Sequence, residues 1–263
     1  MKIIVCIKQV PDTAARIKIA SNSKEIVTSE LTYVVNPYDE YAVEEALRIR
    51  EKAGGEVVVI SMGPDRTSEA IRTTLAMGAD RGIHLKDSAF EGSDPYSTAK
   101  LLAKVISGMQ FDLILCGKQA VDDNASFVGP ALAEFLGVPQ ATVITKLELS
   151  ADLKSITVER EVEGGKEVLE LSLPALVTAQ KGLNEPRYAS LPGIMKAKKK
   201  EIKVMDAASA GISPEEVGEK GSKQKLLSLF LPAERKAGKV IPGEPAEAVK
   251  ELVRLLKEEA RAL

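Results

Sequence analysis

The sequence predicts an α/β protein built on a doubly wound, mostly parallel, Rossmann-like sheet, and three observations carry that prediction. Short runs rich in Val, Ile and Leu recur at residues 2–8, 56–62 and 112–116. Helical patterns separate them, and turn-forming or polar residues close them. Strands alternating with helices imply crossover connections and parallel pairing. Loops then gather at the carboxyl edge of the sheet, where ligands bind in open α/β folds.

Each element follows from local chemistry. Residues 39–53 place Ala42, Val43, Ala46, Leu47 and Ile49 on one side of a helix and Glu44, Glu45, Arg48 and Arg50 on the other. That is an amphipathic crossover helix. Residues 67–77 form a second helix closed by Gly78, residues 82–85 a short strand, and residues 94–107 a third helix. The strand over 113–116 ends at Gly117, and a polar, acidic loop leads through Gly129 and Pro130 into a helix over 131–136. A helix start presents unpaired N–H groups and the positive end of a dipole, which suits a phosphate. Spacing alone allows an ordinary βα loop as readily as a nucleotide site. The pocket loops expected are residues 8–13, 36–39, 61–65 and 117–129. Beyond Gln140, the turn Glu163-Gly164-Gly165-Lys166 joins two strands of an inserted β-hairpin, and Pro174 precedes an apolar strand that returns to the main sheet. Residues 205–225, rich in Ala, Ser, Gly, Glu and Lys, read as a poorly packed linker before an amphipathic helix over 245–263. So long an extension needs a surface to rest on, and an arm docked on another subunit is expected.

Composition removes several classes of function. A net charge of −2 and a pI near 5.8 over 263 residues give no support for nucleic-acid binding. The start MKIIVCIKQV enters a strand directly, with no cleavable signal, and no apolar run is long enough to span a bilayer, so a cytoplasmic protein without membrane insertion is expected. The two cysteines, Cys6 and Cys116, lie in apolar strand patterns and read as buried free thiols. The single histidine, His84, has no accompanying nucleophile motif, which leaves Ser-His-Asp catalysis without support and gives His84 a structural role. No Cys-x-x-Cys or His-x-x-x-His spacing suggests a metal.

Four segments carry a more specific message: NPYDEYAVEEALRIRE at 36–51, TTLAMGADRGIHL at 73–85, DLILCGKQAVDDN at 112–124 and LNEPRYASLPGIMKAKKK at 183–200. In this order, and over nearly the whole chain, they resemble the β subunit of electron transfer flavoprotein. The resemblance implies a fold similar to adenine nucleotide α-hydrolases and a heterodimer with an α subunit. An FAD held mainly by the α subunit would carry electrons from acyl-CoA or related dehydrogenases to a membrane quinone oxidoreductase, so the chain would be an electron-carrier subunit and not itself an enzyme. It also implies an AMP buried in the β subunit, in the cytoplasm of a bacterium or the mitochondrial matrix of a eukaryote. The organisation expected is a nucleotide-binding domain over 1–182, a recognition loop and basic helix over 183–204, and an arm over 205–263 docking on the α subunit.

The positions matching the family's nucleotide contacts are Cys6, Asn36, Pro37, Tyr38, Asp39, Met62, Gly117, Lys118, Gln119, Ala120, Val121, Asp122, Asp123, Asn124, Ala125, Ser126, Phe127 and Val128. They fall at the carboxyl ends of three predicted strands. Asp122, Asp123 and Asn124 suit sugar hydroxyls or loop amides, while Gly117, Gln119 and the amides of 125–129, including Gly129, suit the phosphate. In the segment resembling the family's recognition loop, Leu191 matches an apolar anchor for the partner dehydrogenase, flanked by Tyr188, Pro192, Ile194 and Met195. Lys196, Lys198, Lys199 and Lys200 would steer an acidic partner, and Lys196 and Lys199 match lysines methylated in some family members. Glu161 matches an interface carboxylate near the α-subunit flavin. Thr13 departs from a tyrosine that some members place close to that flavin.

Two alternatives remain at this level. In bifurcating relatives a second FAD, reduced by NADH, replaces AMP, usually with a Gly-Asp-Thr-like loop pattern. This chain instead has Asp122-Asp123-Asn124-Ala125-Ser126-Phe127-Val128, which favours AMP, although Val128-Gly129-Pro130 is common in those relatives. A nucleotide-binding regulatory protein without electron transfer is the other class, and the long arm and anchor loop argue against it.

Overall fold

A computed structural model describes residues 1–233 and 238–263; residues 234–237, within the expected C-terminal arm, lie outside the described residues. The chain opens with β1 (Lys2–Cys6), β2 (Gln9–Pro11), β3 (Tyr33–Val35), α1 (Pro37–Ala53), β4 (Glu56–Met62), α2 (Thr67–Met77) and β5 (Arg81–Leu85). It continues through α3 (Pro95–Ser107), β6 (Leu113–Gly117), α4 (Val128–Leu136), β7 (Gln140–Leu149), β8 (Ser155–Val162), β9 (Gly165–Ser172) and β10 (Ala175–Ala179). Last come α5 (Leu191–Ala197), β11 (Ile202–Met205), two single-turn helices α6 (Ala207–Ala210) and α7 (Gly218–Gly221), and α8 (Pro245–Glu258).

Among the described residues, nine strands form one sheet in the order β11-β5-β4-β1-β6-β10-β7-β8-β9. Pairing is parallel from β11 to β7 and antiparallel through the hairpin β8–β9. Side chains alternate across the central strands, so each feeds two cores. Ile3, Val5, Val57, Val59, Leu113 and Leu115 meet Leu47, Ile71 and Leu75 of α1 and α2 on one face. On the other, Ile4, Val58, Ile60 and Ile114 meet Leu101, Ile106 and Leu132 of α3 and α4. Each such fully buried side chain contributes roughly 1.5–3 kcal/mol, which explains why central strands hydrophobic on both faces read so plainly in the sequence.

The hairpin and the returning strand stand as expected, with β10 seated between β6 and β7. Helix α4 begins at Val128, ahead of the expected Ala131, and keeps Pro130 in its first turn. The stretch 205–225 differs more from expectation. Residues 202–205 form β11 on the edge of the sheet, and Ala207, Ala210, Ile212 and Val217 are buried in the core with α3. Asp94, the N-cap of α3, also binds the Lys223 and Gln224 amides at 2.6 and 3.0 Å. Sparse small apolar residues suffice there because the sheet and α3 supply the surface they cover, which composition does not register. The compact units divide at Met1–Leu227 and Ser228–Leu263. Within the second unit, α8 exposes Val249, Leu252 and Val253.

Candidate functional site

The carboxyl ends of β1, β4 and β6 converge with the first turns of α1, α3 and α4 around a cavity of about 190 Å³. Parallel β1, β4 and β6 are adjacent in register, so Cys6, Ile60 and Cys116 lie side by side at its base. Both thiols are free. The neighbouring Cys6 and burial push the Cys116 thiol well above its usual range, which leaves it an inert apolar surface.

Helix α1 supplies the braces. Asn36, its N-cap, is buried, donates from Nδ2 to the Gln119 carbonyl at 2.9 Å and accepts from the Val121 N–H at 3.1 Å. Asp39 in the first turn accepts the Lys8 N–H at 2.7 Å and the Gly117 N–H at 3.0 Å, tying β1 to β6. Burial pushes its carboxyl up to about 7, against those hydrogen bonds, which favour the charged form. Gly117 packs so tightly on α1 that a Cβ would meet Asp39 Oδ1 and lie 2.7 Å from Tyr38 Cβ. The Lys118 ammonium stands 4.8 Å from the Tyr38 ring centroid.

The loop between β6 and α4 is held by its own polar side chains. Gln119 donates to Asn124 Oδ1 at 2.6 Å and accepts from Ser126 Oγ at 2.8 Å; Asp123 accepts the Ala125 N–H at 3.0 Å. Asn124 and Ser126 adopt left-handed backbone, with φ of 50° and 51°. Among the described residues, the N–H groups of Ser126, Phe127, Val128 and Gly129 have no acceptor, and they head α4 where its dipole is positive. Lys8 Nζ pairs with Asp122 at 2.8 Å and Asp123 at 3.0 Å, offsetting one of the two negative charges that would oppose an anion. Gly129 lets α4 approach β10: a Cβ there would lie 2.6 Å from Thr178 Cγ2.

Of the residues singled out in the sequence, Cys6, Asp39, Met62, Gly117, Lys118, Gln119, Ala120, Asp123, Ala125, Ser126, Phe127, Val128 and Gly129 line this cavity. Asn36, Pro37, Tyr38, Val121, Asp122 and Asn124 stand behind it, bracing the loop or starting α1. Lys8, Ser61, Ser93, Pro95 and Thr98 also line it. Lys8 and Ser61 belong to loops flagged by strand ends; the α3 residues carried no signal beyond a helix start. His84 is buried, 2.9 Å from the Gly63 carbonyl, in a structural contact. Among the described residues, no group of three or more His, Cys, Asp or Glu side chains is placed to hold a metal ion, and no helix is long and apolar enough to cross a membrane.

A second feature stands apart from the cavity. Tyr188 is 98% exposed, Leu191 80% and Met195 63%, with Ile194 beside them, and Lys196, Lys198 and Lys199 are exposed on the same segment. Lys200 departs from the expected steering group, since its ammonium is bound by backbone carbonyls of the α2 end. Glu161 is exposed on the hairpin opposite Lys166 of β9, and Thr13 is exposed beyond β2; neither lines the cavity.

Comparison with known proteins agrees with this architecture. The family described as electron transfer flavoprotein domain matches residues 24–210. A protein of Thermoanaerobacterium thermosaccharolyticum named electron transfer flavoprotein subunit beta is 45% identical over 257 residues, covering 97% of this chain and 98% of its own length. Proteins of the same name from Bacillus subtilis and Bos taurus are each 42% identical, covering 100% and 99% of this chain and 100% and 98% of their own lengths. With the family model matching residues 24–210 and 42–45% identity to these relatives over nearly the full length, the chain belongs to the electron transfer flavoprotein family, among its β subunits.

Proposed function

We propose that this chain is the β subunit of a heterodimeric electron transfer flavoprotein and holds one AMP in the cavity at the carboxyl edge of its sheet. The α subunit would hold most of an FAD that takes electrons from acyl-CoA or related dehydrogenases and passes them to a membrane quinone oxidoreductase. The complex would act in the cytoplasm of a bacterium, or in the matrix if the source is eukaryotic. The observation that carries the nucleotide reading is the row of N–H groups from Ser126 to Gly129 that, among the described residues, have no acceptor and head α4 beside the apolar base of Cys6, Ile60 and Cys116. The loop Asp122-Asp123-Asn124-Ala125, in place of the Gly-Asp-Thr-like pattern usual in bifurcating relatives, favours AMP over a second FAD.

The residues present fit AMP. Free amides at the head of α4 suit the phosphate, with Lys8 offsetting one of the two nearby carboxylates, and the apolar base formed by Cys6, Ile60 and Cys116 suits a base or sugar face. Asp39, Asn36 and Gly117 orient the loop, and Met62 and Leu102 exclude water. Bound there, AMP supplies structure and no electron chemistry. Leu227, Phe230, Leu231 and Val240 are exposed apolar side chains, and α8 adds Val249, Leu252 and Val253, which suits an arm covered by the α subunit.

Denaturing the purified complex and quantifying released nucleotides tests this reading. One FAD and one AMP per heterodimer are expected. Two FAD and no AMP would assign the cavity to a second flavin reduced by NADH, as in a bifurcating form. A monomer that co-purifies with no flavoprotein would point to a regulatory nucleotide-binding protein and remove the electron-transfer reading.

A further inference from the structure

The exposed apolar segment is rooted at both ends by a charged side chain. Upstream, Arg187 Nε donates to Glu44 of α1 at 2.8 Å, and its terminal nitrogens reach Glu44 at 3.2 Å and Glu51 at 2.5 and 3.1 Å. Its backbone N–H also donates to Glu44, at 3.2 Å. Burial pushes the Glu44 carboxyl up, but the Arg187 and Arg48 guanidiniums outweigh it and hold the group below its usual range. A planar guanidinium fork set on two carboxylates fixes orientation in a way a point charge does not.

Downstream, Lys200 Nζ donates to the carbonyls of Leu75 at 3.0 Å, Gly78 at 3.4 Å and Ala79 at 2.5 Å. Those groups mark the end of α2, where carbonyls lack helical partners and the dipole is negative. Arg72 of α2 reciprocates by donating to the carbonyls of Ala197, the last residue of α5, at 2.5 Å and of Lys200 beyond it at 2.7 Å. Gly193 of α5 lies so close to the Ala76 carbonyl that a Cβ would clash with it. Helix α5 has only 7 residues, too few to persist without such contacts.

We propose that Arg187 and Lys200 are positioning residues for partner docking, fixing the two roots of segment 188–199 on α1 and α2 so that Leu191 is presented in a preformed geometry. This rests on the reading of that segment as a docking surface. It divides the basic run by role: Lys196, Lys198 and Lys199 are free to steer a partner, and Lys200 is structural. A segment ordered before contact loses less conformational freedom on docking.

The test uses the heterodimer with an acyl-CoA dehydrogenase as electron donor, and reads amide exchange over 188–199 together with the second-order rate of flavin reduction against ionic strength. Arg187→Gln is expected to raise exchange there roughly tenfold and to slow reduction several-fold, with an unchanged salt slope. Arg187→Lys, which keeps the charge and loses the fork, should fall between it and wild type. Lys200→Gln should leave the salt slope unchanged, whereas Lys196→Gln should flatten it. Unchanged exchange in Arg187→Gln, or a slope flattened by Lys200→Gln as by Lys196→Gln, overturns the proposal. If exchange rises as expected but Leu191→Ala reduces at the wild-type rate, the docking reading itself is wrong, and the two anchored roots lose their purpose with it.

Discussion

Replacing Asp39 with Asn tests whether a buried carboxylate organises the cavity at the carboxyl edge of the sheet. Asp39 accepts backbone N–H groups from Lys8 and Gly117, and burial raises its carboxyl from 3.8 to about 7. Because the folded value lies above the unfolded one, the native state binds the extra proton. Its stabilising contribution is full below about 3.8 and is lost as pH rises through 7. At about 1.4 kcal/mol per pH unit, less near the midpoint, the loss between pH 5 and 7 is about 2 kcal/mol. The amide introduced by Asp39→Asn would not titrate. Its one acceptor and one donor match those of the protonated carboxyl, which is the wild-type form at pH 5. Urea unfolding of wild type and Asp39→Asn, followed by circular dichroism at intervals between pH 5 and 7, should show wild type losing about 2 kcal/mol relative to the variant as pH rises. A difference that stays constant, or that moves in favour of wild type as pH rises, would refute the reasoning, since it would mean an ordinary carboxylate ionised throughout.

Gly117→Ala places a methyl group 2.7 Å from Tyr38 Cβ and 2.8 Å from the Asp39 amide nitrogen, so α1 must shift away from β6. Nucleotide extracted from the purified complex should fall well below one equivalent, with stability lowered by about 1–3 kcal/mol; full retention of nucleotide would show that the contact is not tight. Leu191→Ala removes an 80% exposed side chain that holds up no core, so the flavin spectrum should be unchanged while electron uptake from an acyl-CoA dehydrogenase slows roughly tenfold. Stopped-flow rates equal to wild type would remove the anchor role.

Much of this molecule is legible in its sequence. The apolar runs at β1, β4 and β6 and the one-sided pattern of α1 announce a parallel sheet wrapped on both faces, because strands and helices buried that thoroughly have little freedom of composition. Strand ends also locate the pocket loops, including those that carry Lys8 and Ser61. The strand β11 and the packing of Ala207, Ile212 and Val217 stay hidden, since a four-residue edge strand and scattered small residues carry no period. The two roles of Asn36 and Asp39 are hidden as well. The family resemblance implies that they contact a nucleotide, and the structure uses Asn36 to hold the loop and Asp39 both to line the cavity and to join two strands.

The sequence by itself determined the layered α/β architecture, the β-hairpin insertion and the loops that form the site, because these follow from hydrophobic periodicity and turn chemistry acting over a few residues. Only the tertiary structure decided which charges are free. Lys8 pairs with Asp122 and Asp123 from 114 and 115 residues away, Lys200 caps a helix that ends at Met77, and Arg187 is committed to Glu44 and Glu51. The physical reason is distance: the role of a charged side chain is set by what lies within a few ångströms of its tip, and in a sheet of crossover connections those neighbours come from far along the chain.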